Sequence, residues 1–261
     1  MKLTNWIDGY EKLCNWIVQY VPKGHIYVEP FANAISPFWC LPEPFRVEVI
    51  NDLYVNIVGI YRILQDAEKY NAITDKLAKT PFSQDEFKRA VKTIKEHNID
   101  DINKAWAFFV IHNEYLLNLK SDVPEFEKFL NNLSAELPLR LKLLVYWYDR
   151  LSRVQMDCVD AIQCIKYWDT PETVFYIDTP YDLDTEFHKN LADTLLSVKG
   201  KVLLFSYECQ AYKELEEIGW RKSHNDASHY NNLLYVNFKN GNLSENSEEQ
   251  KAKKNYLIDS I

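Results

Sequence analysis

Glycine is scarce in this chain. Six glycines in 261 residues, at positions 9, 24, 59, 200, 219 and 241, amount to roughly a third of the usual ~7% share. None lies near another, which excludes a G-x-G-x-x-G dinucleotide turn and a P-loop. A ligand that needs bare backbone close by must be met by other small residues. The five cysteines (Cys14, Cys40, Cys158, Cys164, Cys209) form no C-x-x-C pair, so neither a disulfide framework nor a zinc site is indicated, and buried free thiols are expected. No run approaches the ~20 apolar residues that span a bilayer, and M-K-L-T-N-W-I-D has no secretory apolar core. A soluble protein of cytoplasmic type, with no membrane partner, is the expectation. Positive charge is also short. The net charge of −8 predicts at most a local, low-affinity grip on DNA phosphates.

What is present is an apolar fraction of 47%, ample for a packed core. Lys12 to Val21 reads as a helix, with Leu13, Trp16, Ile17 and Tyr20 on one face. I-Y-V-E (residues 26–29) and V-E-V-I (47–50) read as strands, the second followed by an amphipathic helix from Leu53 to Leu64. From Glu68 to Asp149 the periodicity is helical only. Ser83 with Glu86 forms a capping-box start, and Ala105 to Leu119 and Leu137 to Tyr148 are further helices. Strand and helix signals then alternate again. Val154–Val159, Val174–Ile177 and Lys201–Ser206 read as strands, and Ile162–Tyr167, Phe187–Val198 and Ala211–Ile218 as helices. Asn232–Phe238 suits a late antiparallel strand. This order predicts an α/β fold, a doubly wound sheet with a helical insert. Residues 1–67 and 150–240 would form the sheet domain, 68–149 the insert, and 241–261 a polar tail.

In such sheets ligands bind at the carboxyl ends of the strands. Glu29, Asp52 and Asp178 follow three apolar runs, and Asp160 follows V-Q-M-D-C-V. Each could cap a helix or turn, as Asp does routinely. Together they suit a ligand bearing hydroxyl or amino groups. Trp106, Phe108 and Phe109 read as helix core rather than base-stacking wedges, and His188 as a cap or core residue. His224 and His229 flank an expected loop without metal spacing.

Five blocks in order carry a resemblance: Y-V-E-P-F (27–31), V-I-N-D-L (49–53), S-R-V-Q-M-D-C-V-D-A-I (152–162), D-T-P-E-T-V-F-Y-I-D-T-P-Y (169–181), and the stretch from His188 to Tyr212. The chain resembles the DNA adenine-N6 methyltransferases of the D-P-P-Y class, which carry a helical target-recognition insert. The resemblance implies a Rossmann-like sheet that uses S-adenosylmethionine. It implies that Asp178 is the catalytic carboxylate, that Thr179 offers its carbonyl, that Pro180 shapes the loop, and that Tyr181 stacks on the target base. Asp52 would take the cofactor's ribose and Asp160 its adenine. Trp6, Tyr10, Glu29, Phe31 and Asn33 would line the rest of the cofactor pocket.

The chain departs from the family pattern at three places. Asp8-Gly9-Tyr10 stands where a Gly-Gly-Lys turn is usual. A-N-A-I-S-P (32–37) replaces a glycine-bearing loop. N-N-L-L-Y-V-N-F (231–238) lacks an early acid. The D-T-P-Y threonine keeps the carbonyl, but it brings a free N–H that needs a partner and loses the fixed φ of proline. His112, Asn113 and Glu114 offer only a weak phosphate grip. Two readings of the function stand: an active site-specific DNA adenine-N6 methyltransferase, or a pseudo-methyltransferase acting as a binding or regulatory protein or as the silent partner of an active subunit. Methylation of another planar amine, in RNA or protein, is a third.

Overall fold

The computed structural model describes residues 10–32, 37–53, 55–81, 83–96, 98–115, 144–145, 148–180, 183–224 and 232–239. Helix α1 (Tyr10–Val18) leads into β1 (Ile26–Glu29), a 3-10 turn (Pro37–Cys40) and β2 (Val47–Asn51). Four helices follow: α2 (Val55–Gln65), α3 (Ala67–Ala78), α4 (Gln84–Thr93) and α5 (Asp101–Tyr115). The chain returns through β3 (Val154–Asp157), α6 (Ala161–Trp168), β4 (Thr173–Asp178), α7 (Thr185–Leu195) and β5 (Lys201–Tyr207). A 3-10 turn (Gln210–Tyr212), α8 (Lys213–Glu217), β6 (Arg221–His224) and β7 (Asn232–Val236) complete the order.

The strands form one sheet in the order β3-β2-β1-β4-β5-β7-β6. β1 to β5 run parallel, and β7 pairs antiparallel with both β5 and β6. Parallel strands covered on both faces read as continuous apolar runs, and T-V-F-Y-I-D and K-V-L-L-F-S-Y are buried along nearly their whole length. The period of two then divides each strand between two cores. Tyr27, Ile50, Val174, Tyr176, Leu203 and Phe205 join one cluster with Ile17 of α1, Leu64 of α2, Ile73 of α3 and Trp106 of α5. Val28, Val49, Phe175, Ile177, Val202 and Leu204 join the other, under Ile165 of α6, Leu191 of α7 and Leu215 of α8. The sheet is thus doubly wound and Rossmann-like, as expected, with the four helices α2 to α5 between β2 and β3 sharing the first core.

Several boundaries differ from the sequence reading. β3 stops at Asp157 rather than Val159, because the Asn51 side chain takes the Val159 N–H and C=O out of the ladder (2.9 Å each). α7 begins at Thr185, two residues before Phe187, because Asp184 caps it by accepting the Phe187 N–H at 2.7 Å. α2 starts at Val55 and leaves Leu53 exposed. Ser83 caps α4 as expected, accepting the Glu86 N–H at 3.2 Å. Arg221–His224, to which the sequence assigns no element, is an edge strand ending at His224; its polar R-K-S-H sequence carries no apolar periodicity. The helix expected over residues 137–148 lies mostly outside the described residues, as do His229 and the polar tail; residues 144–145 and 148–151 are helical. Trp106 is core, as expected. Its indole N–H donates to Thr80 Oγ1 at 2.8 Å, and Lys76 and Arg89 lie over its ring.

Two of the described glycines serve the scaffold. A Cβ on Gly24 would lie 2.6 Å from Val174 Cγ2, so this glycine admits the chain beside the amino end of β4. Gly219, at φ +100°, makes the left-handed turn after α8.

Candidate active site

β1 lies between β2 and β4, with chain order diverging on either side. That is the switch point where doubly wound sheets bind ligands. Strand periodicity and register bring Glu29, Asp52 and Asp178 to this carboxyl edge. Glu29 ends β1 and Asp178 ends β4, while Asp52 follows β2 directly. Their charges overlap. The Cys14 thiol is raised by the Cys40 thiol beside it, then by burial, and further by the Glu29 and Asp178 charges. Burial raises the Tyr61 phenol, and Glu29 and Asp52 add to it.

Glu29 is fully buried. Its Oε1 accepts the Tyr27 hydroxyl at 2.6 Å and the Phe38 N–H at 2.9 Å. Burial, followed by the Glu29 charge, holds the Tyr27 phenol well above its usual range. Glu29 thus fixes the far end of the A-N-A-I-S-P segment to β1. Phe31, two residues beyond β1, stacks edge-on against Phe187 of α7 with centroids 6.0 Å apart.

Asn51, the last residue of β2, is a hub that the sequence reading passed over. It is fully buried. Its Nδ2 donates to Pro30 O and Val159 O, its Oδ1 accepts the Val159 N–H, and its carbonyl accepts the Ala32 N–H at 2.8 Å. Three strand exits are thereby joined. Asp52 extends from one and Asp160 from another. Asp160 caps α6 by accepting the Gln163 N–H at 3.0 Å, so its capping role holds and its carboxylate stands at the strand exit. A polar residue closing the apolar run V-E-V-I-N is the one sequence signal for this hub.

On the other side, Thr179 follows Asp178 and is 3% exposed. Its N–H, which needed a partner, donates to Phe205 O at 3.2 Å. Its hydroxyl meets the Ser206 hydroxyl at 2.7 Å. Pro180 then turns outward into solvent. Nearby in sequence, His188 of α7 is buried, with Nδ1 on the Tyr212 hydroxyl (2.7 Å) and Nε2 on the Tyr207 hydroxyl (2.9 Å). The sequence reading left Ser206 and these tyrosines without roles.

Trp6, Asn33 and Tyr181 lie outside the described residues, and Tyr10 is described only as the first residue of α1. Among the described residues no cluster of acids, histidines and cysteines could hold a metal ion, and no helix is long and apolar enough to cross a membrane.

No curated protein matches the sequence. The family model of the D12 class N6 adenine-specific DNA methyltransferases matches residues 6–239 of the 261. With the doubly wound sheet and the acids at its carboxyl edge in place, the chain belongs to the D12 class N6 adenine-specific DNA methyltransferase family.

Proposed function

We propose that the protein transfers a methyl group from S-adenosylmethionine to N6 of an adenine turned out of a DNA duplex at a defined sequence. The observation that carries this reading is Asp178, half-buried at the carboxyl end of β4, followed by a threonine whose peptide is held on β5. Adenine N6 is a poor nucleophile because its lone pair is delocalised into the ring. The Asp178 carboxylate and the Thr179 carbonyl would accept its two hydrogens and return electron density to nitrogen. Pro180 would aim the loop and Tyr181 would stack on the extruded base. Positioning does most of the work in such a step.

The β2 and β3 exits fit the nucleoside part of the cofactor. Leu53 is 67% exposed and Val159 41% exposed, an apolar pair with an acid next to each in sequence. A purine face would cover the pair, ribose hydroxyls would donate to Asp52, and an exocyclic amine would donate to Asp160. When bound, S-adenosylmethionine supplies an electrophilic methyl on sulfonium. Glu29 and Phe31 act here as wall and support for that pocket, with Trp6, Tyr10 and Asn33 completing it.

DNA would be gripped locally. Lys88 and Lys92 on α4, and Lys95 in the turn after it, are exposed at i, i+4 and i+7, a one-sided basic stripe suited to phosphates. A silent-partner role is favoured by one specific observation, the Asp8-Gly9-Tyr10 and A-N-A-I-S-P departures. Calorimetric titration with S-adenosylmethionine separates the two readings. Saturable binding that Asp52→Ala weakens supports the enzyme, and no binding to the folded protein at millimolar cofactor overturns it.

A further inference from the structure

We infer that Ser206 is a positioning residue for the Thr179 peptide, and that the Thr179–Ser206 hydroxyl pair does here what a proline ring would do at that position. The inference rests on the proposed reaction for its consequence, though not for its geometry. β5 is an apolar strand, V-L-L-F, until Ser206. A serine hydroxyl 3% exposed is costly in such a place unless it is hydrogen-bonded. Its partner is the Thr179 hydroxyl at 2.7 Å.

The β4–β5 register sets Asp178 opposite Phe205, so Ser206 falls beside the first residue past the strand. Thr179 is consequently held from two sides. Its N–H on Phe205 O extends the ladder by one step, and its hydroxyl on Ser206 fixes χ1. A proline would have neither donor and would set φ through its ring. With both bonds made, the Thr179 carbonyl has a fixed direction.

The anchor is itself supported. Burial raises the Tyr212 phenol, and the Ser206 and Thr179 hydroxyls oppose that rise. Tyr212 meets His188 Nδ1, and His188 Nε2 meets Tyr207. The Thr179 and Ser206 hydroxyls satisfy each other, and pairing of Ser206 with Leu233 of β7 holds the serine where Thr179 needs it.

The test uses Ser206→Ala, Thr179→Val, Thr179→Pro and the Thr179→Pro/Ser206→Ala double variant of the full chain. Ser206→Ala is expected to lower kcat for methyl transfer about tenfold, the scale of a sub-ångström displacement of a reacting group, with KM for the cofactor unchanged. Thr179→Val, which keeps the shape and removes the same bond, should match it. Thr179→Pro should restore kcat in the Ser206→Ala background. Hydrogen exchange of the peptide spanning residues 178–180 should quicken in Ser206→Ala and in Thr179→Val, whether or not the chain transfers methyl groups. Wild-type exchange in both single variants, or a kcat loss that Thr179→Pro leaves in place, overturns the inference. If the wild-type chain transfers no methyl while exchange responds as stated, the proposed reaction fails and the positioning role stands.

Discussion

Glu29 accepts the Phe38 N–H at 2.9 Å across nine residues of sequence, and the Tyr27 hydroxyl at 2.6 Å on the same oxygen. One buried carboxylate therefore holds the segment after β1 against the strand it left. Glu29→Ala leaves two buried donors without this acceptor, at about 1–3 kcal/mol each. Urea unfolding should show a destabilisation of that order, and Glu29→Gln, which keeps an acceptor oxygen, should show a smaller one. A Glu29→Ala protein as stable as the wild type would contradict the role assigned to this residue.

Arg150 forks onto Glu48 of β2 with both nitrogens, one at 2.6 Å, and its guanidinium lies 3.9 Å from the centre of the Phe38 ring. Glu48 also accepts the Phe45 N–H at 3.0 Å. This pair joins the chain returning towards β3 to the segment that Glu29 holds. Removing one partner strands the other charge in the interior, so Arg150→Ala should cost about 3–5 kcal/mol. Arg150→Met with Glu48→Leu should recover much of that loss in chemical denaturation. Recovery is expected because the pair's own desolvation penalty disappears with it.

His188 gives the stability a pH dependence with a definite sign. Burial holds its imidazole below the usual histidine range, and the Asp184 charge opposes that shift. Near the unfolded value of about 6.5 the unfolded chain binds more protons than the folded one. The contribution of neutral His188 is therefore complete above about pH 6.5 and is lost as pH falls from there towards the lower folded value. Urea midpoints measured from pH 7.5 to 5 should fall more steeply for the wild type than for His188→Asn. Parallel curves would remove His188 as the cause.

The α4 stripe makes a prediction about salt. Each phosphate contact contributes about −0.9 to the slope of log K against log salt. Lys88→Glu with Lys92→Glu should weaken DNA binding and flatten that slope by about one to two, measured by fluorescence anisotropy on a duplex. An unchanged slope would place the DNA elsewhere.

Much of this architecture is legible in the sequence because strand and helix periods differ. F-Y-I-D marks a buried strand and its end, and the acids at the carboxyl ends of β1, β2 and β4 mark the edge at which doubly wound sheets bind ligands. What sequence does not carry is which oxygen meets which donor. Glu29 reads like the other acids, yet its Oε1 is engaged within the protein. Asn51 and Ser206 each look like one polar residue at the end of an apolar run, and only the register reveals that they hold strand exits. Asn51 also explains why β3 ends early, since pairing through a side chain has no local pattern. The edge strand Arg221–His224 has no signature in the sequence, because R-K-S-H offers no apolar alternation and its pairing comes from β7.

The most direct measurement is transfer of labelled methyl from S-adenosylmethionine to unmethylated duplex DNA, with the product read as N6-methyladenine, for the wild type and for Asp178→Ala. The account predicts N6-methyladenine from the wild type, and loss of transfer in Asp178→Ala with cofactor affinity nearly unchanged. Undiminished transfer by Asp178→Ala, or none from a folded wild-type chain, would contradict it.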